Sequence, residues 1–151
     1  MVFEDIVAIL ERTFKTELSV VQDTTAFEVT SEDSGTKIRV FVQDESEHNL
    51  VLLFADLGPL PPDGCEKLFR TMLEANNLFA GTAGATLSLD AATEHFRLQW
   101  VLPPDVFGND VEGKLTVFIE TALNWSRTLA DFRPSAEGGA SDDVFARMMQ
   151  V

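Results

Sequence analysis

The side chains that most often carry out chemistry are sparse in this chain. It contains one cysteine, Cys65, and two histidines, His48 and His95, and neither a Cys-x-x-Cys nor a His-x-x-x-His spacing occurs. A zinc site would therefore have to recruit carboxylates as well. His48 falls in an acidic turn and His95 in the loop of a predicted hairpin, where a solvated side chain is a simpler interpretation than a catalytic base. The sequence predicts neither a metal site nor a bound cofactor.

Three further features could suggest an enzyme, and each has a simpler structural interpretation. Cys65 lies near the N-terminus of a predicted helix, which favours a reactive thiolate, but its acidic neighbours oppose this. Asp56 lies in an Asp-Leu-Gly sequence, where an aspartate typically forms a turn or a cap. The segment from Gly81 to Gly84 is too short for a dinucleotide-binding loop and precedes a strand, not a helix. We therefore expect no enzymatic activity.

The composition is typical of one acidic globular domain. The chain has 151 residues and a net charge of −14, with 45% apolar and 24% charged residues. Nucleic acids and anionic membranes attract basic surfaces, so both are excluded as partners. The longest apolar run, residues 50–55, is far shorter than the roughly 18 residues of a membrane span. Glu4 and Asp5 stand where a signal peptide carries basic residues, which predicts a cytoplasmic protein. The acidity either keeps the chain soluble or steers a basic partner towards it.

The hydrophobic periodicity predicts eight elements. Helices are expected at residues 2–17, at 65–79 and from Asn109 or Asp110 to about 133; strands are expected at 26–30, 38–42, 49–57, 85–89 and 96–102. This order, α-β-β-β-α-β-β-α with hairpin-length connections, favours an α+β fold on a twisted antiparallel sheet. We predict one domain at residues 1–133.

A flexible acidic tail is expected at residues 134–151. Its last part carries a short amphipathic segment, because four apolar residues recur at positions i, i+1, i+4 and i+5: Val144, Phe145, Met148 and Met149. So short a helix needs a surface to stabilise it. The segment either docks into an apolar groove of its own or a neighbouring chain, or the tail is disordered.

Four stretches carry a resemblance to a known family. They are Leu-Leu-Phe-Ala-Asp-Leu-Gly-Pro-Leu-Pro at residues 52–61, Leu-Glu-Ala-Asn-Asn-Leu-Phe at 73–79, Gly-Ala-Thr-Leu-Ser-Leu-Asp at 84–90 and Leu-Gln-Trp-Val-Leu-Pro at 98–103. In this order and at these spacings they resemble the CesT (Tir chaperone) family, the class I type III secretion chaperones. The resemblance covers about residues 1–133.

The resemblance implies a cytoplasmic homodimer that binds the N-terminal segment of a secreted effector in a non-globular, secretion-competent state, without ATP or metal. It places effector binding on the first helix and the first two strands, at Phe3, Ile6, Leu10, Phe27, Val29, Ile38, Val40 and Val42. It places the dimer interface on the second helix and the last two strands, at Leu68, Phe69, Met72, Leu87, Leu89 and Trp100.

Two alternatives stay open at the level of the sequence. Each of these apolar residues could serve the core of the chain instead of a binding surface, and the periodicity does not separate the two roles. The chain could also be a protein-interaction or regulatory module of the same fold, with a folded partner and no role in secretion.

Overall fold

Within residues 2–102 and 110–132, which the computed structural model describes, three α-helices and five strands follow one another in the predicted order. The elements are α1 (Val2–Phe14), β1 (Thr24–Thr30), β2 (Lys37–Glu45), β3 (Leu50–Pro59), α2 (Cys65–Asn76), β4 (Thr86–Asp90), β5 (His95–Leu102) and α3 (Val111–Asp131). The α+β class and the order of elements are confirmed. The predicted tail, with its amphipathic segment, lies outside the described residues.

The five strands form one antiparallel sheet in the order β1-β2-β3-β5-β4, so β1 and β4 are its edges. Side chains alternate between its faces. In β3 the inward set, Val51, Leu53, Ala55 and Leu57, is buried, whereas the residues between them are partly exposed. Helices α1 and α3 pack on the inward face, and α2 packs beside β4. The other face, which we call the outer sheet face, carries no helix in the described part of the chain.

Two buried hydrogen bonds fix α3 against the rest of the fold. The Trp125 indole N–H donates to the Gly81 carbonyl at 2.8 Å, and the Ser126 hydroxyl donates to the Leu57 carbonyl at 3.1 Å. Trp125 is fully buried. A buried polar group costs free energy unless it is paired, so these bonds specify where the helix lies. They place α3 against both the loop after α2 and the end of β3.

The ends of α1 and α3 show local capping. Helix α1 is three residues shorter than the predicted 2–17, because Lys15 adopts a left-handed φ of 51° and the Glu11 carboxylate accepts a hydrogen bond from the Leu18 N–H at 2.9 Å. At the start of α3, the Asp110 carboxylate accepts from the Gly113 N–H at 3.2 Å. Asp110 is therefore the N-cap, which confirms one of the two predicted alternatives.

Helix α2 also ends earlier than the predicted residue 79. Its last residue is Asn76, and the chain continues as a short 3-10 turn over Asn77–Phe79 in which Leu78 leaves the helical region with a φ of 53°. The Asn76 side chain is bonded to the backbone of β4 at Leu87, a contact between residues far apart in sequence. The helical spacing of Phe79 predicted that it lies on the second helix, but it lies in the turn that follows the helix.

The Asp-Leu-Gly sequence forms a β-bulge within β3, so the strand runs past its predicted end at residue 57, and Asp56 has the predicted turn-forming role there. Strand β3 continues to Pro59, and its register with β5 shifts between Asp56 and Gly58. Gly58 has a φ of 115°, which favours glycine, and its N–H donates to the Asp56 carboxylate at 3.0 Å. The same carboxylate contacts His95 Nδ1 at 2.9 and 3.0 Å. His95 is thus the paired first residue of β5, and its predicted place as a solvated loop residue is wrong.

Candidate functional site

An apolar surface is exposed where α2 meets β4. We call it the α2–β4 surface and define it by five exposed apolar side chains: Phe69, Leu73, Leu78, Phe79 and Leu89. Leu73 is 70% exposed and Leu78 is 88% exposed. Contiguous apolar surface of this kind typically marks a binding site for another protein.

The backbone presents two of these side chains in a strained conformation. Leu78 and Phe79 are consecutive left-handed residues, with φ of 53° and 58°. Residues other than glycine in this region cost about 1–3 kcal/mol each, and such strain clusters at functional sites. Here the strained residues also expose apolar side chains to solvent, and both features lower the stability of the single chain.

A groove of about 350 Å³ lies between α2 and β4, lined mainly by Phe69, Met72, Leu73, Leu87 and Leu89. Its walls are apolar apart from one amide and one hydroxyl side chain. On the other side of Phe69 and Leu73, a wider cleft of about 740 Å³ runs along the outer face of α2. The arrangement suits the apolar face of a helix better than an extended polar ligand.

The edge of β4 is closed at its centre. The Asn76 carboxamide accepts a hydrogen bond from the Leu87 N–H at 2.8 Å and donates to the Leu87 carbonyl at 3.0 Å. A neighbouring strand would use these two backbone groups. Asn76 therefore occupies the position of a strand partner and blocks pairing there.

The edge of β1 is open. The Ser31 N–H donates to the Thr36 carbonyl at 2.8 Å, so Ser31 and Thr36 form a hydrogen-bonded pair. The next pair along the ladder, Thr30 with Lys37, is therefore a non-hydrogen-bonded pair. In an antiparallel ladder this makes every second residue of β1 point its N–H and C=O away from β2. The Thr24 groups bond back to Val21, but in the described part of the chain no hydrogen bond reaches the outward groups of the remaining residues. These are Ala26, Glu28 and Thr30.

The outer sheet face carries a row of aromatic and basic side chains. Phe41 and Phe54 stack with ring centroids 4.8 Å apart. The Arg39 guanidinium lies 5.6 Å from the Phe41 centroid, and the Arg97 guanidinium lies 4.8 Å from that of Phe54. Both phenylalanines are partly exposed. Cation–π contacts of this kind order the arginines and hold their charges at the surface.

The residues predicted to bind an effector lie mostly in the core. Seven are buried in the single chain: Phe3, Ile6, Leu10, Phe27, Ile38, Val40 and Val42. Val29 is partly buried and packs against the same core. These residues occupy the inward faces of α1, β1 and β2, and their assignment to effector binding stays a prediction. The surface near β1 is formed instead by its backbone edge and by Val20 and Val21, which are exposed.

The residues predicted for the dimer interface fall into three sets. Phe69 and Leu89 are exposed on the α2–β4 surface, whereas Leu68, Met72 and Leu87 are buried beneath it. Trp100 is partly buried and stacks on Phe118 of α3 at 6.2 Å. The structure thus brings all but Trp100 to one region of the fold.

Several surface residues were absent from the predicted sets. Leu73 and Phe79 belong to the apolar face of the second helix in the sequence pattern, which was the available signal for the α2–β4 surface. Leu52 and Phe54 alternate with the inward residues of β3, so its continuous apolar run already indicated a second, outward apolar face. The sequence pattern did not identify the cluster of Arg39 and Phe41, because the stacking of Phe41 on Phe54 of β3 depends on the register of the sheet.

A possible catalytic arrangement is also present only in part. Asp56, His95 and Ser126 line one cleft of about 320 Å³. The Ser126 hydroxyl, however, donates to the Leu57 carbonyl, and within the described residues it makes no hydrogen bond to His95. A nucleophile must be within reach of its base.

In the part of the chain that the structure describes, no group of three or more possible metal ligands occurs, and no helix has the length and hydropathy to cross a membrane.

Comparison with known proteins identifies the family. The model of the Tir chaperone protein (CesT) family matches residues 19–126, from the segment before β1 into α3. The chain belongs to the CesT family. No curated protein matches this CesT family member in sequence.

Solved structures share the fold of this CesT family member. A chain of the HopA1–SchA chaperone–effector complex matches with a TM-score of 0.61 and 15% identity, over 86% of this chain and 94% of that one. A chain of the heterodimeric ExoU–SpcU complex from the type III secretion system of Pseudomonas aeruginosa gives 0.60 and 17%, over 86% and 99%. A chain of the ExsC–ExsE complex gives 0.58 and 17%, over 84% and 95%.

Proposed function

We propose that this chain is a type III secretion chaperone that binds the N-terminal segment of a secreted effector and holds it in a non-globular state. The observation that carries the proposal is the match of residues 19–126 to a chaperone family. The fold it shares with chains of a chaperone–effector complex and of a type III secretion complex supports it. Holding a partner in this way requires no catalytic group.

The open β1 edge is the proposed site for an extended part of the effector segment. Main-chain hydrogen bonds to an exposed edge provide affinity for a peptide without requiring it to be folded. Ala26, Glu28 and Thr30 offer their outward N–H and C=O groups for such pairing, and exposed Val20 and Val21 lie next to the start of the strand. An open edge is otherwise an aggregation hazard that proteins normally cover.

The buried residues first assigned to effector binding contribute indirectly to this site. Phe27 and Val40 are cross-strand partners in the core, and Phe14 of α1 contacts Phe27 at a ring distance of 5.6 Å. Their packing holds β1 on the sheet and so fixes the position of its free edge.

The α2–β4 surface is the proposed homodimer interface. Burial of its apolar side chains, Leu73 and Leu78 above all, stabilises the dimer by about 25 cal/mol for each Å² of apolar area removed from water. A two-fold axis would place the same surface of each subunit against its copy. Strain at Leu78 and Phe79 is then offset by contacts that the single chain cannot make.

The proposed setting is the cytoplasm, where effectors are held before export. A net charge of −14 keeps such a chaperone dispersed, and Cys65 has no second cysteine with which to form an internal disulfide. Binding is expected to need neither nucleotide nor metal.

Affinity capture with mapping tests the proposal. The tagged full chain is used to capture partners from a lysate of its own source organism, and each partner is then tested as fragments. We expect one secreted protein whose N-terminal fragment binds alone and whose remainder does not. A partner that binds through a folded domain, and continues to bind when its N-terminal segment is removed, would overturn the proposal in favour of a regulatory module.

A further inference from the structure

The α2–β4 surface carries both protruding side chains and a depression. Leu78 is 88% exposed in the turn after α2, and Phe79 beside it is 53% exposed. The groove of about 350 Å³ between α2 and β4 lies on the same surface. In the described chain, neither Leu78 nor Phe79 lines this groove or the wider cleft along α2. The protruding side chains therefore leave the groove of their own chain unfilled.

The groove suits an apolar occupant. The two polar side chains on its walls already have partners, because Asn76 is bonded to the backbone of Leu87 and the Ser88 hydroxyl donates to the Gln99 carboxamide oxygen at 3.3 Å. A dry cavity of about 150 Å³ lined by apolar side chains accommodates a benzene molecule. A groove of about 350 Å³ therefore has room for one or two apolar side chains.

The turn that presents Leu78 is ordered in the single chain. The Gly81 N–H donates to the Ala75 carbonyl at 3.0 Å, and the Gly81 carbonyl accepts from the buried Trp125 indole at 2.8 Å. Both bonds fix the backbone that follows the left-handed Leu78. Ordering a loop at an interface costs free energy, so a turn that is already ordered can bind without that cost.

A second copy of the chain matches the protrusion and the depression together. In a two-fold contact, a residue that touches a site on the partner has its own copy touching the same site in return. An effector segment in the groove would instead leave Leu78 in water. Helix α2 also carries no net charge in a chain of net charge −14, so two copies meet there without net repulsion. Its charged residues are Glu66, Lys67, Arg70 and Glu74.

The apolar area available is close to what a stable dimer needs. At their exposures, the five side chains that define the α2–β4 surface present on the order of 500 Å². Two copies would bury about 1,000 Å² of apolar area, and a stable interface buries about 1,200–2,000 Å² in total. The polar side chains that border the surface supply the remainder.

We propose that each subunit inserts Leu78, with Phe79 beside it, into the groove between α2 and β4 of its partner. The homodimer is then held by two equivalent contacts, in which the inserted side chains pack against Leu73 and Leu89 of the other subunit. The inference rests on the proposed homodimer interface and assigns the contact that holds it together.

Disulfide trapping between differently tagged chains tests the contact. Two chains are coexpressed in a Cys65→Ser background, one with Leu78→Cys and the other with Leu89→Cys, and are mildly oxidised. We expect most heterodimers to be crosslinked, because a disulfide joins residues whose Cα atoms lie about 4.4–6.8 Å apart. With Val117→Cys in place of Leu89→Cys, no crosslink should form. Crosslinks between two Leu78→Cys chains, in place of the expected pair, would overturn the insertion, because the turn would then meet its own copy.

Side-chain truncation measures what the contact contributes. By sedimentation equilibrium, Leu78→Ala should weaken the dimer Kd by about 100- to 1,000-fold, because each dimer loses two buried leucine contacts. The control Val117→Ala should change it by less than about threefold. Leu78→Gly tolerates the positive φ and should weaken the dimer at least as much as Leu78→Ala, so a misfolded turn would not explain the loss.

The outcomes separate this inference from the interface on which it rests. If the unchanged chain is a dimer and both Leu78 variants keep its Kd, the insertion is overturned and the proposed interface remains. If the unchanged chain is a monomer at micromolar concentration, the insertion and the homodimer are both overturned.

Discussion

Replacing Glu28 by proline removes one outward N–H from the middle of the β1 edge. The Glu28 N–H points away from β2, so proline deletes no hydrogen bond of the existing sheet. Proline is tolerated on edge strands for this reason. The matched variant is Glu28→Ala, which removes the same carboxylate and keeps the N–H. The difference between the two variants therefore reports the backbone group alone.

The size of the expected effect follows from the cost of one lost hydrogen bond. A backbone hydrogen bond contributes about 0.5–1.5 kcal/mol, and a partner carbonyl left unpaired at the interface costs about 1–3 kcal/mol. A net loss of about 1–2 kcal/mol weakens the Kd by about 5- to 30-fold. We expect this loss for Glu28→Pro relative to Glu28→Ala.

Titration calorimetry with the N-terminal segment of the captured effector measures the two affinities. The thermal midpoint of each variant is recorded in parallel, to show that both remain folded. Equal Kd values for Glu28→Pro and Glu28→Ala, with both proteins folded, would refute pairing of the effector segment with the β1 edge.

Three further predictions concern the rest of the molecule. Leu73→Glu places a charge on the α2–β4 surface and should give a monomer by light scattering at micromolar concentration where the unchanged chain is a dimer, while Val117→Glu, the same change at an exposed apolar position of α3, should leave the dimer intact. Asn76→Ala breaks both side-chain hydrogen bonds to β4 and should lower the free energy of unfolding by about 1–3 kcal/mol. The control Asn77→Ala, at an exposed side chain, should change it by less than about 0.5 kcal/mol. Equal free energies of unfolding for the two variants in denaturant would contradict the closure of the β4 edge by Asn76. EDTA, zinc or ATP should leave the thermal midpoint unchanged, and a reproducible upward shift with zinc or ATP, or a downward one with EDTA, would reveal a ligand site.

Periodicity in the sequence was sufficient for the elements and their order. Apolar residues at helical spacing in α1 and at alternating positions in β2 each specify one buried face, and a buried face fixes the type of element. The position of β1 at an edge of the sheet is given by the topology.

What the sequence could not supply depends on contacts between distant residues. Helix α2 ends at Asn76, whose side chain bonds to Leu87 on β4, and His95 is paired with Asp56 beside the bulge at Gly58. No local pattern contains either contact.

The assignment of binding residues stays a prediction, because the sequence pattern has the same ambiguity at those positions. An apolar residue on an amphipathic element, such as Ile6 or Val40, satisfies the pattern of a core and that of a binding patch equally well. Which face of an element is exposed depends on which of its faces packs against the other elements of the fold. For that reason the backbone edge of β1 and the stack of Phe41 on Phe54 emerged only from the register of the sheet.

Hydrogen exchange of the effector bound to the full chain shows which part of the effector this chain holds. We expect protection only in the N-terminal segment of the effector, together with new protection at the outward amides of Ala26, Glu28 and Thr30, while the rest of the effector exchanges as it does when free. Protection confined to a folded domain of the effector, with unchanged exchange along β1, would contradict the claim that this chain holds a non-globular segment for secretion.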